Sequence, residues 1–456
     1  MGQTESIVQY IYKARFEDLP KNVVEKTKWI LLDSLGCALA GARTKMGQVV
    51  IDQIKALGGK NESIIFGKKM RTNSVWAGFC NAILMDALDY EETALAHPCA
   101  TIIPAAFAMG EVACASGRNL ILSVVLGFEV SQRIGLAILP SPEVGKSIAV
   151  VFAFHSFGAC VAGGKMMRLS PAQMLNAFGY TGATTPVPTW ISKWERPLHW
   201  VKNDYGEQTR AGILGVLLSK RGFIGPQKVL DGDLSFWRMV GSDRCDYQKM
   251  TKDLGVSYEI LSDTFKPYPA CRWIHAALDA LQAIVNEYKP NPEDVQRILV
   301  KTFKDAAVLL DTQPKGMVDG EFSLPYCLAM ILLKKKPGPA WYSSGNLRSK
   351  EVAACMAKVQ ADVNPEAEEL YARERKMSAT IHVRLRDGRE FSQRVVSPRG
   401  DMENPMSEKE LLDKFTALAG TVIKNKAVIP KITGMILKLE GLKDIRDLTS
   451  LLYRSC

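Results

Sequence analysis

The first 262 residues form one predicted helix after another, and this pattern restricts the fold more than any other feature. Apolar residues recur at helical spacing, Gly and Pro interrupt the segments, and the period-two alternation of half-buried strands is almost absent. The clearest predicted helix covers residues 23–42, where Thr27, Leu31 and Leu35 share a face. Further helices are predicted at residues 46–57, 72–88, 103–116, 120–139 and 211–221. The pattern predicts a large, mostly α-helical body.

The pattern changes near residue 263. Residues 295–303 are the first segment with the composition and alternation of a strand. Residues 377–385 and 390–396 predict a β-hairpin across an Asp-Gly turn. Residues 263–403 are therefore predicted to form a small α+β domain. A chain of 456 residues is also longer than one hydrophobic core usually supports, so two domains are expected.

The net charge of +10 is compatible with a nucleic acid, an anionic membrane surface or an acidic small molecule as partner. Only residues 334–336 form a basic cluster, and no nucleic-acid-binding motif accompanies it, which disfavours nucleic acid. No uninterrupted apolar run reaches the ~20 residues of a membrane-spanning helix, and the N-terminus lacks the pattern of a secretory signal. The ten cysteines include no C-x-x-C pair, as expected for reduced thiols. A soluble, cytoplasmic protein without membrane contact is predicted.

A polar segment at residues 86–100 separates two apolar helical segments and is the first place to expect chemistry. Asp89, Thr93 and His97 follow one another at four-residue steps, which would place them on one face if the segment remains helical. A carboxylate beside an imidazole can fix its tautomer and raise its basicity. The trio therefore predicts acid–base chemistry in this segment.

Two acidic residues and one histidine have opposite predicted environments. Glu91 and Glu92 are expected to face solvent, as acidic loop residues usually do. His155 lies in the apolar run of residues 148–164, so it is expected to be buried. Buried histidines often only satisfy a backbone carbonyl, and that alternative stays open beside a catalytic role.

No cofactor or metal site is predicted. Residues 186–212 are rich in Pro, Trp and charge, which is typical of a functional loop and not of a simple connection. The chain contains no internal repeat, P-loop or credible G-x-G-x-x-G motif, which disfavours nucleotide and nicotinamide cofactors. Its scattered cysteines offer no ligand set for an iron–sulfur cluster.

Seven motifs occur in an order that resembles the MmgE/PrpD family, which includes 2-methylcitrate dehydratase, cis-aconitate decarboxylase and iminodisuccinate epimerase. The motifs are LDSLGCALAG at 32–41, LDYEET at 88–93 with His97-Pro98, FH at 154–155, RGFIGP at 221–226, KPYPACRWIH at 266–275, FSLPY at 322–326 and GDMENPMS at 400–407. The resemblance implies a large all-helical domain formed by both chain ends, residues 1–262 and 404–456. It also implies an inserted smaller α+β lid domain at residues 263–403, and a homodimer.

By position, the resemblance implies a set of active-site residues. Asp89, His97, His155 and Tyr326 correspond to catalytic residues, Thr93 belongs to the substrate pocket, and Lys202 and Lys266 are cationic contacts. Arg272 and His275, in the same motif as Lys266, complete the predicted substrate-binding set. The interval from Thr93 to His97 is shorter than in the dehydratase and decarboxylase branches, and Arg196 competes with Lys202 for the position of the family's lysine.

The chemistry of these residues suits a polycarboxylate. Removing a proton α to a carboxylate forms a dianionic enediolate, which needs a base and positive charge nearby. Histidines, lysines and Arg272 can supply both, and the Tyr326 hydroxyl can protonate a departing hydroxide. We predict a cofactor-independent lyase that acts on a di- or tricarboxylic acid, with 2-methylcitrate dehydratase as the reference activity. An isomerase or epimerase, a cis-aconitate-type decarboxylase and a non-catalytic helical protein remain open.

Overall fold

The structure is mostly α-helical, as predicted. It is a computed structural model that describes residues 2–148, 153–186, 198–199 and 205–456. Helices before residue 262 span Gln3–Lys13, Lys21–Gly41, Lys45–Leu57, Ser74–Asp86, Cys99–Ala113, Gly117–Ala137, His155–Met166, Pro171–Thr184, Tyr205–Lys220, Phe236–Met239 and Tyr247–Thr251. Later helices span His275–Tyr288, Lys304–Ala307, Met317–Glu321, Leu324–Leu332, Ser344–Leu347, Lys350–Met356, Pro365–Glu374, Glu408–Ala419, Ile429–Leu437 and Arg446–Ser455.

Polar N-cap residues explain where several of these helices begin. The Asn73 side chain accepts a hydrogen bond from the backbone N–H of Trp76 at 3.0 Å, one turn into its helix. Ser407 and Glu410 form a capping box at the start of Glu408–Ala419. The helix Pro171–Thr184 was not predicted, although Ser170 and Gln173 form a capping box of the same kind.

A four-stranded sheet follows the helices in sequence. Its strands β3 (Val295–Thr302), β4 (Val359–Val363), β5 (Ala379–Leu385) and β6 (Glu390–Val395) lie in the order β4-β3-β5-β6. The predicted hairpin of β5 and β6 is confirmed, and β3 pairs antiparallel with β5. Strand β4 was missed because it pairs parallel to β3 and has no turn of its own to mark it. A short antiparallel ladder of β1 (Ser63–Ile64) and β2 (Arg71–Thr72) interrupts the helical part.

The buried apolar residues fall into two main clusters. The larger one draws its members from residues 7–265 and 411–452, and the smaller one from residues 268–385. Phe415 joins the late helix Glu408–Ala419 to the early one, since a Cβ on Gly36 would lie 3.1 Å from the Phe415 ring. This division follows the predicted change near residue 263, while the arrangement as a helical domain with a lid stays a prediction.

Two helices that frame the site run side by side in the same direction. Early in Cys99–Ala113, the Ile102 side chain lies 2.7 Å from a Cβ placed on Gly158. Later in the same helix, Met109 lies 3.2 Å from a Cβ placed on Gly163. Both helices therefore advance together, and their N-terminal ends lie at the same level.

A third helix, Tyr205–Lys220, joins this parallel set. A Cβ on Gly212 would lie 2.7 Å from the backbone nitrogen of Cys160, and Val216 lies 3.6 Å from a Cβ on Gly163. Glycine at position 212 allows this close approach. The N-terminal turns of three long helices thus converge.

The helix Gly117–Ala137 is, by length and composition, the one described helix that could cross a membrane. In this structure, however, 94% of its most apolar 18-residue segment is buried inside the fold. A core helix of a globular domain has this property, which agrees with the prediction of no membrane contact but does not test it.

Candidate active site

The polar segment is not helical, so the predicted alignment of its residues on one helical face is wrong. One helix ends at Asp86 and the next begins at Cys99. Between them Asp89 has φ 45° and Ala96 has φ 66°, both in the left-handed region that non-glycine residues rarely adopt. Such local strain persists where the surrounding structure determines the backbone, and it is common at functional sites.

Backbone pairing to a distant segment holds this loop. The Thr93 N–H donates to the Thr264 carbonyl at 2.9 Å, and the Thr264 N–H donates back at 3.0 Å. The Thr93 hydroxyl donates to the Ala96 carbonyl at 2.9 Å. In this structure the hydroxyl that was predicted to bind substrate closes the loop itself. The chain just after the boundary near residue 263 therefore positions the loop.

Glu91 and Glu92 are fully buried, so the prediction that they face solvent is wrong. Both side chains are 0% exposed. Glu91 pairs with His97, and Glu92 accepts a hydrogen bond from the Cys99 N–H at 2.9 Å, which caps the helix that begins there. Each carboxylate compensates its burial with a specific partner, which a loop composition cannot reveal.

His97 lies among three carboxylates. Glu91 Oε1 contacts its Nδ1, Asp89 Oδ1 lies 3.5 Å from its Nε2, and Asp86 Oδ1 lies 3.8 Å from its Nδ1. Burial tends to raise the pKa of Glu91, but the charge and hydrogen bond of His97 outweigh it and hold that pKa at about 2. The partner that orients His97 is therefore Glu91 more than the predicted Asp89.

Lys266 fixes Asp89 in its unusual backbone conformation. Its ammonium donates to the Asp89 carbonyl oxygen at 2.8 Å and pairs with the Asp89 carboxylate, and both side chains are fully buried. Lys414 plays a similar part nearby, because its ammonium donates to the Tyr90 carbonyl at 2.6 Å and to the Lys266 carbonyl at 3.0 Å. Asp33 balances the charge of Lys414 at 2.7 Å. Residues from three distant parts of the chain thus hold the loop.

His155 and His97 both lie beside the Tyr205 ring. The ring centroids of His155 and Tyr205 are 5.9 Å apart, and those of His97 and Tyr205 are 6.2 Å apart. His155 is 0% exposed, and neither ring nitrogen has a hydrogen-bond partner among the described residues. Burial, with a smaller contribution from His97, lowers the pKa of His155 to about 3. At neutral pH this imidazole is therefore uncharged.

A second pair of carboxyl groups is buried beside the loop. The Glu92 and Asp263 carboxyl groups lie beside each other, which favours a proton shared between them. Burial raises the pKa of Glu92 to about 7 and raises that of Asp263 well above its usual range. Lys26 lies close by and donates to the Asp263 carbonyl oxygen at 2.6 Å. This pair joins the loop to the segment that leads into the second apolar cluster.

Two predicted substrate contacts have structural partners in the second cluster. Arg272 pairs with Asp401, donates to the Arg399 carbonyl at 3.0 Å and lies 3.1 Å from His275 Nδ1. The other nitrogen of His275 donates to the Ala270 carbonyl at 3.0 Å. Burial and the Arg272 charge lower the pKa of His275 well below its usual range, so it is neutral.

Tyr326 also lies inside the second cluster. Its side chain is 0% exposed, its hydroxyl donates to the Trp341 carbonyl, and its ring stacks on Tyr342 at 5.8 Å. The structure thus brings Asp89, His97 and Lys266 into contact. His155 lies beside the Tyr205 ring, which His97 also approaches. It does not bring the Tyr326 hydroxyl into hydrogen-bonding contact with them. Lys202 and its competitor Arg196 lie outside the described residues.

The same loop contains a group that can hold a cation. One ligand atom from each of Asp86, Glu91 and His97 lies within 4.8 Å of the others. Two carboxylates and an imidazole suit several divalent metals. The predicted metal independence therefore needs a direct test.

Sequence reasoning missed Glu91, Tyr205 and Gln208. Glu91 was visible beside His97 in the sequence, and a close Glu–His pair in an apolar setting is a usable signal. Tyr205 and Gln208 begin a helix behind an irregular loop, and no spacing rule connects them to His155. Both are at most 1% exposed.

Comparison with known proteins identifies the family to which the chain is similar. The MmgE/PrpD N-terminal domain matches residues 5–248, and the MmgE/PrpD C-terminal domain matches residues 268–433. A cis-aconitate decarboxylase of Aspergillus terreus is 25% identical over 480 residues, covering 99% of this chain and 96% of that protein. The cis-aconitate decarboxylase of Homo sapiens is 23% identical over 465 residues, with 98% and 94% covered. That of Mus musculus is 24% identical over 473 residues, with 98% and 93% covered.

Proposed function

The chain belongs to the MmgE/PrpD family, and we propose that it is a lyase that acts on a small di- or tricarboxylic acid. Within that class we place decarboxylation of an unsaturated polyacid first, because the similar proteins named above are cis-aconitate decarboxylases. They do not favour 2-methylcitrate dehydratase, the reference activity predicted from sequence. The observation that carries the proposal is the pair of buried imidazoles, His97 between carboxylates and neutral His155, both beside the Tyr205 ring.

The two imidazoles have different roles in this proposal. A His155 ring with a pKa of about 3 carries no extra proton at neutral pH, so it serves as a neutral hydrogen-bonding group. The charge of a protonated His97 is compensated by Glu91 and Asp89, so His97 can hold and deliver a proton inside the fold. We therefore assign proton transfer to His97.

The proposed reaction balances with one proton. The bond between a substrate carbon and its carboxylate breaks, CO₂ leaves, and the electron pair spreads over the double bond and an adjacent carboxyl group. His97 then protonates the carbon framework, and a proton from water restores His97. Groups that meet the developing charge in a buried site act more strongly than they would in water. His155, whose ring nitrogens have no hydrogen-bond partner among the described residues, is one group that can do so.

We also propose that residues 263–403 close over the loop as a lid. Thr264 and Lys266, close to the start of that segment, already contact Thr93 and Asp89. Closure would exclude water from a charged intermediate. A homodimer and a cytoplasmic location are further proposals, and the ten free cysteines are compatible with a reducing compartment. Light scattering on the purified protein tests the dimer.

The reaction class is tested by incubating the purified protein in D₂O with cis-aconitate and, separately, with 2-methylcitrate, followed by NMR. We expect CO₂ loss from the unsaturated acid and deuterium in the product. An alkene formed from 2-methylcitrate without CO₂ would assign a dehydratase, and deuterium exchange without either product would assign an isomerase. Absence of any reaction with such acids would contradict the proposal.

Metal independence is tested in the same assay. We expect activity to survive prolonged EDTA treatment, because the proposed steps need only protons and hydrogen bonds. Loss of activity that one divalent ion restores would instead show that Asp86, Glu91 and His97 hold a metal.

A further inference from the structure

We propose that the adjacent N-terminal turns of His155–Met166 and Tyr205–Lys220 form a carboxylate-binding subsite in which the Gln208 side chain donates a hydrogen bond. The inference rests on the proposed function, since it gives one carboxylate of the substrate a place. It adds a specificity-determining residue that the sequence motifs do not contain.

Gln208 is a buried amide without a hydrogen-bond partner in the described part of the chain. Its side chain is 0% exposed, and neither Oε1 nor Nε2 has a hydrogen-bond partner among the described residues. A buried polar group without a hydrogen-bond partner destabilises the folded state, and native interiors contain few of them. An amide kept in such a position is explained by a ligand that uses it.

The position of Gln208 follows from helix packing. Gly212 lies against the stretch from Ser156 to Cys160, as the short distances from its Cβ position show. Because the two helices run parallel, one turn toward their N-terminal ends brings Gln208 level with His155. Helical side chains tilt toward the N-terminus, so both point to the same end of the helix set. The His155 imidazole and the Gln208 amide, which have no hydrogen-bond partner among the described residues, therefore lie at one level of the fold.

Hydrogen bonds tie the three N-terminal turns to one another. The Thr101 hydroxyl donates to the His155 carbonyl, and the Thr209 hydroxyl donates to the Thr101 carbonyl, each at 3.4 Å. The N-terminal ends of helices carry partial positive charge and favour anions. The end of Cys99–Ala113 already holds the Glu92 carboxylate, whereas the ends of His155–Met166 and Tyr205–Lys220, with the neutral side chains of His155 and Gln208, suit a further carboxylate.

The surroundings of His97 do not suit a carboxylate. There Asp86, Asp89 and Glu91 surround His97, and the nearest described ammonium, Lys266, is already paired with Asp89. Another anion would meet like charge. The helix ends are therefore the better place for a substrate carboxylate among the described residues.

Gln208→Leu tests the subsite, because leucine has nearly the same size and no donor. We expect KM to rise about tenfold or more, the loss of one hydrogen bond to a charged group, while the melting temperature stays the same or increases. Gln208→Met should change KM and the melting temperature in the same way as Gln208→Leu. A stabilisation of the wild type by tricarballylate, measured as a shift of the melting temperature, should shrink in both variants.

Asn81→Leu is the matched control. Asn81 is also a buried amide, but it accepts from the Phe66 N–H at 2.8 Å and donates to the Ile64 carbonyl at 2.9 Å. Its replacement should lower the melting temperature and leave KM unchanged. If the two Gln208 variants instead lose stability as Asn81→Leu does, or keep the wild-type KM and tricarballylate shift, Gln208 is a structural residue and the subsite is wrong.

The outcomes separate the subsite from the reaction. A wild-type protein that is stabilised by tricarballylate but converts no polycarboxylate would contradict the proposed function while the subsite stands. A wild-type protein that neither binds tricarballylate nor converts any polycarboxylate would overturn both.

Discussion

The two sides of the candidate site are equally buried but differ in how their polar groups are satisfied. On the loop side, Asp89, Glu91 and Lys266 each have a charged partner, and all three are 0% exposed. On the helix side, His155 and Gln208 are also 0% exposed but have no hydrogen-bond partner among the described residues. Paired charges hold a backbone in place, whereas unpaired groups remain available to a ligand. The comparison predicts that substitutions on the loop side cost stability first and those on the helix side cost function first.

The largest effect is expected from Lys266→Ala. Removing the ammonium leaves the buried Asp89 carboxylate without compensation, which costs about 3–5 kcal/mol in the free energy of unfolding. Denaturant unfolding followed by circular dichroism measures it. Lys409→Ala is the control, since Lys409 forms an exposed pair with Asp413 and should unfold like the wild type. A stable Lys266→Ala protein would show that the loop does not depend on this pair.

His155→Ala should have the opposite effect to Lys266→Ala, because it should reduce activity and leave stability nearly unchanged. We expect turnover to fall by about 100-fold or more, as for the loss of an acid–base or hydrogen-bonding group in a reaction. The melting temperature should stay within a few degrees, because the imidazole nitrogens have no described partner to lose. Steady-state kinetics and thermal unfolding measure the two quantities. An unfolded variant, or an active one, would make His155 an ordinary core residue.

Glu92→Gln should change the pH dependence of stability. The pKa of Glu92 is raised to about 7 from an ordinary 4.5, so its stabilising contribution is complete below the ordinary value and is lost as pH rises through about 7. Glutamine stays neutral and can still accept from the Cys99 N–H. We expect the melting temperature of the variant to fall less than that of the wild type between about pH 5 and about pH 8. If the melting temperatures of the variant and the wild type changed equally with pH, the result would contradict a proton shared between Glu92 and Asp263.

Tyr326→Phe is expected to have the smallest effect on stability, about 1 kcal/mol, for the loss of the hydrogen bond to the Trp341 carbonyl. If the lid closes and the hydroxyl turns to the substrate, the variant should lose more in kcat than in substrate affinity. We expect that pattern, with a smaller loss of turnover than in His155→Ala. Unchanged kcat would assign Tyr326 to packing alone.

Much of the local structure was predictable from sequence. Helical periodicity located the long helices, and the Asp-Gly turn located the hairpin of β5 and β6. These signals are short-range, since a capping residue or a turn acts within a few residues. Strand β4 was not predicted because its parallel partner β3 is distant in sequence. Such pairing requires no turn or other short-range sequence signal.

The candidate site was predicted in part. Asp89 and His97 were expected to be close, and they are, but through a strained loop and not along a helical face. Glu91 was assigned to solvent because loop carboxylates usually are exposed. Its burial depends on His97 and on Lys266, which is far away in sequence. Composition cannot show such compensation.

Residue types and their order were enough to identify the family and the helical class, and they predicted two histidines as candidates for the site. Which groups are paired, and which are left for a ligand, depended on packing. Gln208 illustrates the reason: its amide is significant only because Gly212 lets two parallel helices approach and brings it level with His155. Hydrogen-bond satisfaction in an interior depends on what the fold places within about 3 Å, and residues distant in sequence decide that.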